Sequence, residues 1–310
     1  MISLRARFVR LVTRHLFKKI GGDPDIPRLR EIWENLAEKS RPAPGTRVRY
    51  VDIADVECDW LVPSGCQDAP VLLYLHGGAY VSGSSKTHRS MVSHIATSAG
   101  MRALLPNYRL APEDPFPAGL NDCVKVYLDL IRSGVDPANI AIGGDSAGGG
   151  MTMAVLLSLR DAGAPMPRTA VLLSPWLDLT GQGDSIRSRA DEDPLFDGRD
   201  MPRAASHYAP AEELENPLIS PVYADVHELP PTLIQVGDHE ILLSDSTRIA
   251  EKMTADGVQV TLQVWPDMWH VFQYFIGRMP ESERAIDDIA TYLRARFASS
   301  DEPVSDEKAA

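Results

Sequence analysis

Cysteine is scarce in this chain of 310 residues, which has only Cys58, Cys66 and Cys123. An odd number without CxxC spacing suggests neither a disulfide framework nor a zinc site, and a reducing cytoplasm is the simplest home. Positive charge is also in deficit. With 31 Lys and Arg against 43 Asp and Glu, the formal net charge is −12, which argues against a nucleic-acid partner because a phosphate backbone demands a basic face. Long apolar runs are missing too: the longest are broken by Pro or Gly within a few residues, and none is long enough to cross a bilayer. Internal repeats and low-complexity tracts are absent.

What is present can bury a sizeable core, since 44% of the residues are hydrophobic. From Val71 onward, short apolar runs at 71–75, 102–108, 139–144, 169–174, 232–237 and 260–265 read as strands. Helical patterns at 120–134, 146–163 and 244–257 alternate with them, which implies an α/β fold with a mostly parallel sheet and helices on both faces.

Two regions break this rhythm, the helical and then Pro-rich residues 1–45 and the charged, Gly- and Pro-rich residues 178–228. Long excursions in compact domains are usually functional. Both are expected to form a helical cap over the C-terminal edge of the sheet, where open α/β sheets bind ligands. The catalytic domain then spans 46–298, followed by an acidic tail at 299–310 expected to be disordered. The stretch MISLRARFVRLVTRHLFKKI holds six basic residues and no acid, with apolar residues at helical spacing. It reads as an amphipathic helix and not as a signal peptide, and it either touches a membrane surface or packs on its own domain.

In IAIGGDSAGGG, Ser146 sits between Gly144 and Gly148 where a strand meets a helix. Such a G-x-S-x-G turn lifts a serine hydroxyl out of the sheet, at a helix N-terminus that favours developing negative charge. Neither phosphate-loop pattern fits residues 143–150. Upstream, HGGAY (76–80) closes a strand, and its small residues can turn backbone N–H groups toward the oxyanion of acyl transfer. Ala147, just after the nucleophile, adds another donor.

HGGAY, NYRLAPEDPFPAGLND (107–122), GDSAGGG (144–150) and SPWLDLT (174–180) occur in the order found in hormone-sensitive-lipase-like esterases, which the chain resembles over about residues 70–297. That resemblance implies the α/β-hydrolase fold. It also implies an oxyanion hole at Gly77, Gly78, Ala79 and Ala147, in which Gly78, Ala79 and Ala147 donate while Gly77 and His76 shape the loop. Ala79 departs from the family's usual third glycine. Tyr108, Arg109, Pro112 and Glu113 belong to a family signature that acyl transfer does not require, and they are read as a buried ion-pair or turn element supporting the loop. Asp145 is read as ordering the nucleophile's turn. Dimers are common in the family.

A serine hydroxyl needs a base, and histidine titrates near neutrality. His270, in PDMWHVFQ after the last strand, occupies the expected loop, and the order Ser, acid, His fits α/β-hydrolases. The acid belongs at the tip of strand 232–237, where both Asp238 and Glu240 are close enough for chemistry alone not to choose. The family motif Asp-Pro-Leu-x-x-Asp places its Leu only in the register Glu240, Ile241, Leu242, so the resemblance points to Glu240. Asp245 reads as a helix-start charge. Tyr80, Trp176, Trp269 and Phe272 are taken as pocket walls.

The expectation is a serine carboxylesterase acting on small esters with short to medium acyl chains, needing neither metal nor organic cofactor. Amides, lactones and thioesters pass through the same tetrahedral oxyanion and stay open as alternatives. A ligand receptor on this scaffold, like the plant gibberellin receptors, is disfavoured by the presence of both Ser146 and His270.

Overall fold

Runs such as VLLYL offer no polar face to water, so they form interior strands flanked by helices. The computed structural model describes residues 2–20 and 25–298, and the acidic tail at 299–310 lies outside them. Helices α1 (Leu4–Ile20) and α2 (Ile26–Ala37) precede a hairpin of β1 (Arg47–Ile53) and β2 (Val56–Val62). The alternating portion runs β3 (Val71–Leu75), α3 (Ser85–Ala99), β4 (Arg102–Pro106), α4 (Ala118–Arg132), β5 (Ile140–Asp145), α5 (Ala147–Asp161) and β6 (Thr169–Leu173). The excursion carries the short α6 (Ser185–Ser188) and α7 (Met201–Tyr208), and the chain closes with β7 (Thr232–Gly237), α8 (Leu243–Ala255), β8 (Val260–Trp265) and α9 (Pro280–Phe297).

The eight strands lie in the order β1-β2-β4-β3-β5-β6-β7-β8. Both pairings of β2 are antiparallel, and every pairing from β4 to β8 is parallel. The two-residue period of a strand divides the core cleanly. Val71, Leu73 and Leu75 of β3 join α4, α5 and α8 on one face, while Leu72 and Tyr74 join α3 and α9 on the other.

The irregular segments pack where the parallel strands end. Arg30 of α2 donates to the carbonyls of Val81 and Ala111 at 2.7 and 2.9 Å, gripping the loops after β3 and β4. On α7, the Tyr208 ring stacks on Tyr80 with centroids 3.8 Å apart. The α1 helix seats Ala6 with Ile2 and Val9 against Trp269, Phe272 and Met279. Ser3 holds it there through two bonds to the Glu281 carboxylate, at 2.7 and 2.9 Å.

The β1–β2 hairpin escapes sequence reading because its two turn residues are Ala54 and Asp55, both left-handed at φ 52° and 64°. Asn-Gly normally marks such a turn, since other residues pay a steric cost there. Replacing Ala54-Asp55 with Asn-Gly is expected to raise stability by about 1 kcal/mol. Urea denaturation with an unchanged m-value checks it.

Candidate active site

Ser146 occupies the single position between β5 and α5 at φ 53°, ψ −124°, a conformation that a non-glycine residue holds only when its surroundings enforce it. Its N–H donates to the Leu173 carbonyl of β6 at 2.9 Å, and its carbonyl accepts from the Trp176 N–H at 2.9 Å. The flanking glycines are required by contact. A Cβ on Gly144 would strike the Gly148 carbonyl, and one on Gly148 would strike the Leu75 carbonyl at the end of β3.

The loop after β3 turns through positive φ at Gly78, Ala79 and Tyr80. Ala79, at φ 54°, therefore holds a strained backbone where a glycine would be relaxed. The Gly77 N–H is shared by Asp145 Oδ1 at 3.2 Å and His88 Nε2 at 3.3 Å. Gly77 thus shapes the loop and is not a free donor. Among the described residues no chain hydrogen bond takes the N–H of Gly78, Ala79 or Ala147. Backbone donors in such a sheltered position call for an acceptor.

Behind the loop lies a buried polar cluster. Asp145 accepts from the Tyr74 hydroxyl at 2.9 Å and faces His88 Nε2 at 3.2 Å. Burial would raise its pKa, but His88 and Tyr74 outweigh burial and hold it below the usual value. His76 stacks on Tyr108 at 4.2 Å, and its carbonyl accepts the Tyr108 hydroxyl at 2.5 Å. Burial pushes the His76 imidazole down to about 3, so it stays neutral and supports the loop. Arg109 grips Asp122 with the guanidinium half-exposed, and Glu113 pairs with Arg30 at 2.7 Å. These signature residues brace loops, and the arginine pairs lie at the surface rather than in the core.

His270 and Glu240 meet in the loops that follow β8 and β7. His270 Nδ1 lies 3.6 Å from Glu240 Oε2, an ion-pair distance longer than a hydrogen bond. Such contacts are commonly long without substrate and tighten when it binds. Burial by itself would lower the His270 pKa, but Glu240, with Asp193 and Asp145 beyond it, more than offsets burial and the net shift is upward. Burial raises Glu240 in turn, against the pull of His270. Asp238 instead accepts the Asp267 N–H at 2.6 Å, in the turn after β8. Asp245, in the first turn of α8, is fully buried and accepts the N–H groups of Leu177 and Asp178 at 2.8 and 2.9 Å. It is a clamp on the loop after β6 and not a helix-start charge, and burial carries its pKa to about 7.

Two residues here escaped sequence reasoning. Ser174, next to the end of β6, donates to Glu240 Oε2 at 2.9 Å and accepts the Val271 N–H at 3.1 Å, so it ties the acid to the base's loop. Asp193 in the 178–228 excursion accepts the N–H groups of Leu195, Phe196 and Ile241. It thereby sets Phe196 edge-on to the His270 ring, with centroids 4.8 Å apart. The only sequence signals were a Ser in SPWLDLT and an Asp before a proline.

The aromatic residues divide. Tyr80 and Trp176 come together near Ser146 with ring centroids 5.8 Å apart, and Tyr208 joins them. Trp269 and Phe272 do not line a pocket: both are wholly buried between α1 and the start of α9. Their positions beside His270 in sequence alternate away from the site.

A family model described as the alpha/beta hydrolase fold matches residues 72–274. An acetyl-hydrolase of Streptomyces hygroscopicus is 40% identical over 244 residues, covering 79% of this chain and 81% of the relative. A putative acetyl-hydrolase, LipR, of Mycobacterium tuberculosis is 34% identical over 308 residues, covering 96% and 97%. A crystal structure of an esterase from the bacterial hormone-sensitive lipase family superimposes with a TM-score of 0.91 at 39% identity, covering 96% of this chain and 100% of that one. The chain belongs to the α/β-hydrolase family, among its hormone-sensitive-lipase-like esterases. It is a carboxylic ester hydrolase. Among the described residues no helix is long and apolar enough to cross a membrane.

Because Trp269 is core, Trp269→Phe is expected to cost about 1–3 kcal/mol of stability while leaving acyl-chain preference unchanged. Denaturant melts alongside rates on p-nitrophenyl esters check both halves.

Proposed function

We propose that the chain hydrolyses small esters of short to medium acyl chain length through a serine nucleophile, Ser146, with His270 as base and Glu240 as its orienting acid. The observation that carries this reading is the buried Glu240–His270 pair, cross-linked by Ser174 next to the strained Ser146 turn. Ser146 Oγ attacks the ester carbonyl while His270 Nε2 takes its proton, and Glu240 favours the resulting imidazolium. The unclaimed N–H groups of Gly78, Ala79 and Ala147 receive the oxyanion. The tetrahedral intermediate collapses as His270 returns the proton to the leaving alcohol, and water then releases the acyl group by the same route.

Initial rates on p-nitrophenyl esters from acetate to palmitate are expected to peak at short or middle lengths, and Ser146→Ala to lose on the order of 10⁶-fold in kcat. A flat background at every length would overturn the ester reading. Glu240→Gln is expected to lose on the order of 10³–10⁴-fold in kcat, with Asp238→Asn near wild type. The pH profile gives an independent check. Since the net shift on His270 is upward, the acid limb of kcat/KM should lie above the ordinary 6.5. Removing the Glu240 charge takes away the largest upward influence on His270, so in Glu240→Gln that limb moves down.

A further inference from the structure

The α1 helix packs with its polarity inverted relative to an ordinary surface helix. It buries small or polar residues, Ala6 and Thr13, while Leu4, Phe8, Leu11 and Leu16 stand 80%, 67%, 66% and 49% exposed. These four recur at helical spacing and form one outward stripe, joined by Val12. At ~100° per residue, Arg7 and Arg14 fall along one flank of the stripe, and Arg5 falls toward its other side, between Val12 and Leu16. Arg10 is turned inward, donating to the Glu192 carbonyl at 2.8 Å. An apolar strip edged by Arg7 and Arg14 and interrupted by Arg5, on a chain whose net charge is −12, concentrates positive potential on this one face.

We propose that the outward face of α1 docks on an anionic lipid bilayer, the stripe entering the acyl boundary and Arg5, Arg7 and Arg14 meeting lipid phosphates. An amphipathic helix lying in the interface needs this arrangement of an apolar face with basic flanks. A second copy of the chain fits less well, because two such faces meeting by a twofold axis would set arginines against arginines. Docking would also orient the enzyme. The inner side of α1 contacts Trp269 and Leu195, the immediate neighbours in sequence of His270 and Phe196, so the bilayer would face the segments that flank the imidazole.

Sedimentation of the full chain with lipid vesicles tests the proposal, using phosphatidylcholine alone and an equal mixture with phosphatidylglycerol. The expected result is binding to the mixed vesicles that weakens as salt is added, with little binding to phosphatidylcholine. The double variant Phe8→Ser, Leu11→Ser should bind at least about tenfold more weakly, since two exposed apolar side chains lose their acyl contact. Arg5→Gln with Arg7→Gln should weaken binding about 25-fold, a factor of about five per charge. Both variants should keep wild-type turnover of p-nitrophenyl acetate in solution, which establishes that they fold. No sedimentation of the wild type at low salt, or equal binding by both variants, would overturn the proposal. So would sedimentation velocity showing a wild-type dimer that Phe8→Ser, Leu11→Ser dissociates without any vesicle binding, which would make a second copy the occupant.

Discussion

One buried carboxylate holds the reactive edge of this molecule together. Asp145 receives the Tyr74 hydroxyl from β3, the Gly77 N–H from the loop after β3, and faces His88 on α3. It is also the residue before the nucleophile. A charge this deeply buried is tolerable only where donors surround it, and here the donors belong to the elements whose relative placement matters. The Ser146 turn and the Gly78–Ala79 turn are both locally unfavourable, with positive φ on non-glycine residues. Asp145 sets their separation, so the strain of one loop is borne by its attachment to the other.

The acid side is organised by a comparable device with the charges reversed in role. Ser174 joins Glu240 to the loop carrying His270, and Asp193 reaches in from the excursion to fix both Ile241 and Phe196. Asp245 holds the start of that excursion through Leu177 and Asp178. The segments above the sheet are therefore fastened by buried carboxylates accepting backbone N–H groups, at positions where neighbouring side chains carry the chemistry.

The legible parts of the fold were those where one period dominated. β3, β7 and β8 are continuous or near-continuous apolar runs bounded by turn residues, and they stand at 71–75, 232–237 and 260–265 as read. The β1–β2 hairpin stayed hidden because Ala54-Asp55 is not the usual chemistry for its turn. The α3 helix stayed hidden because its buried side includes Ser85, Thr87, His88 and Ser93, which blur the apolar spacing. Within the site, Ser146 and His270 stood out by their place at strand ends. Strand position could not separate Asp238 from Glu240. What differs is the direction of each side chain after β7, a property of the turn that no periodicity encodes. Trp269 and Phe272 misled for the same reason, since closeness in sequence to His270 says nothing about which side of a loop a ring faces.

The strand order has a consequence for how the chain matures. The loop at Gly78 and the turn at Ser146 hang on adjacent central strands, β3 and β5, whereas Glu240 and His270 hang on β7 and β8 at the far end of the sheet. Bringing β7 beside β6 requires the 178–228 excursion to close, a loop-closure cost that the β3–β5 pairing does not carry. A partly folded chain with its centre assembled would therefore hold Ser146 and the Gly78–Ala79 turn but not the Glu240–His270 pair. Recovery of hydrolysis during refolding thus reports the docking of the last two strands, and it lags any probe that senses only the central ones.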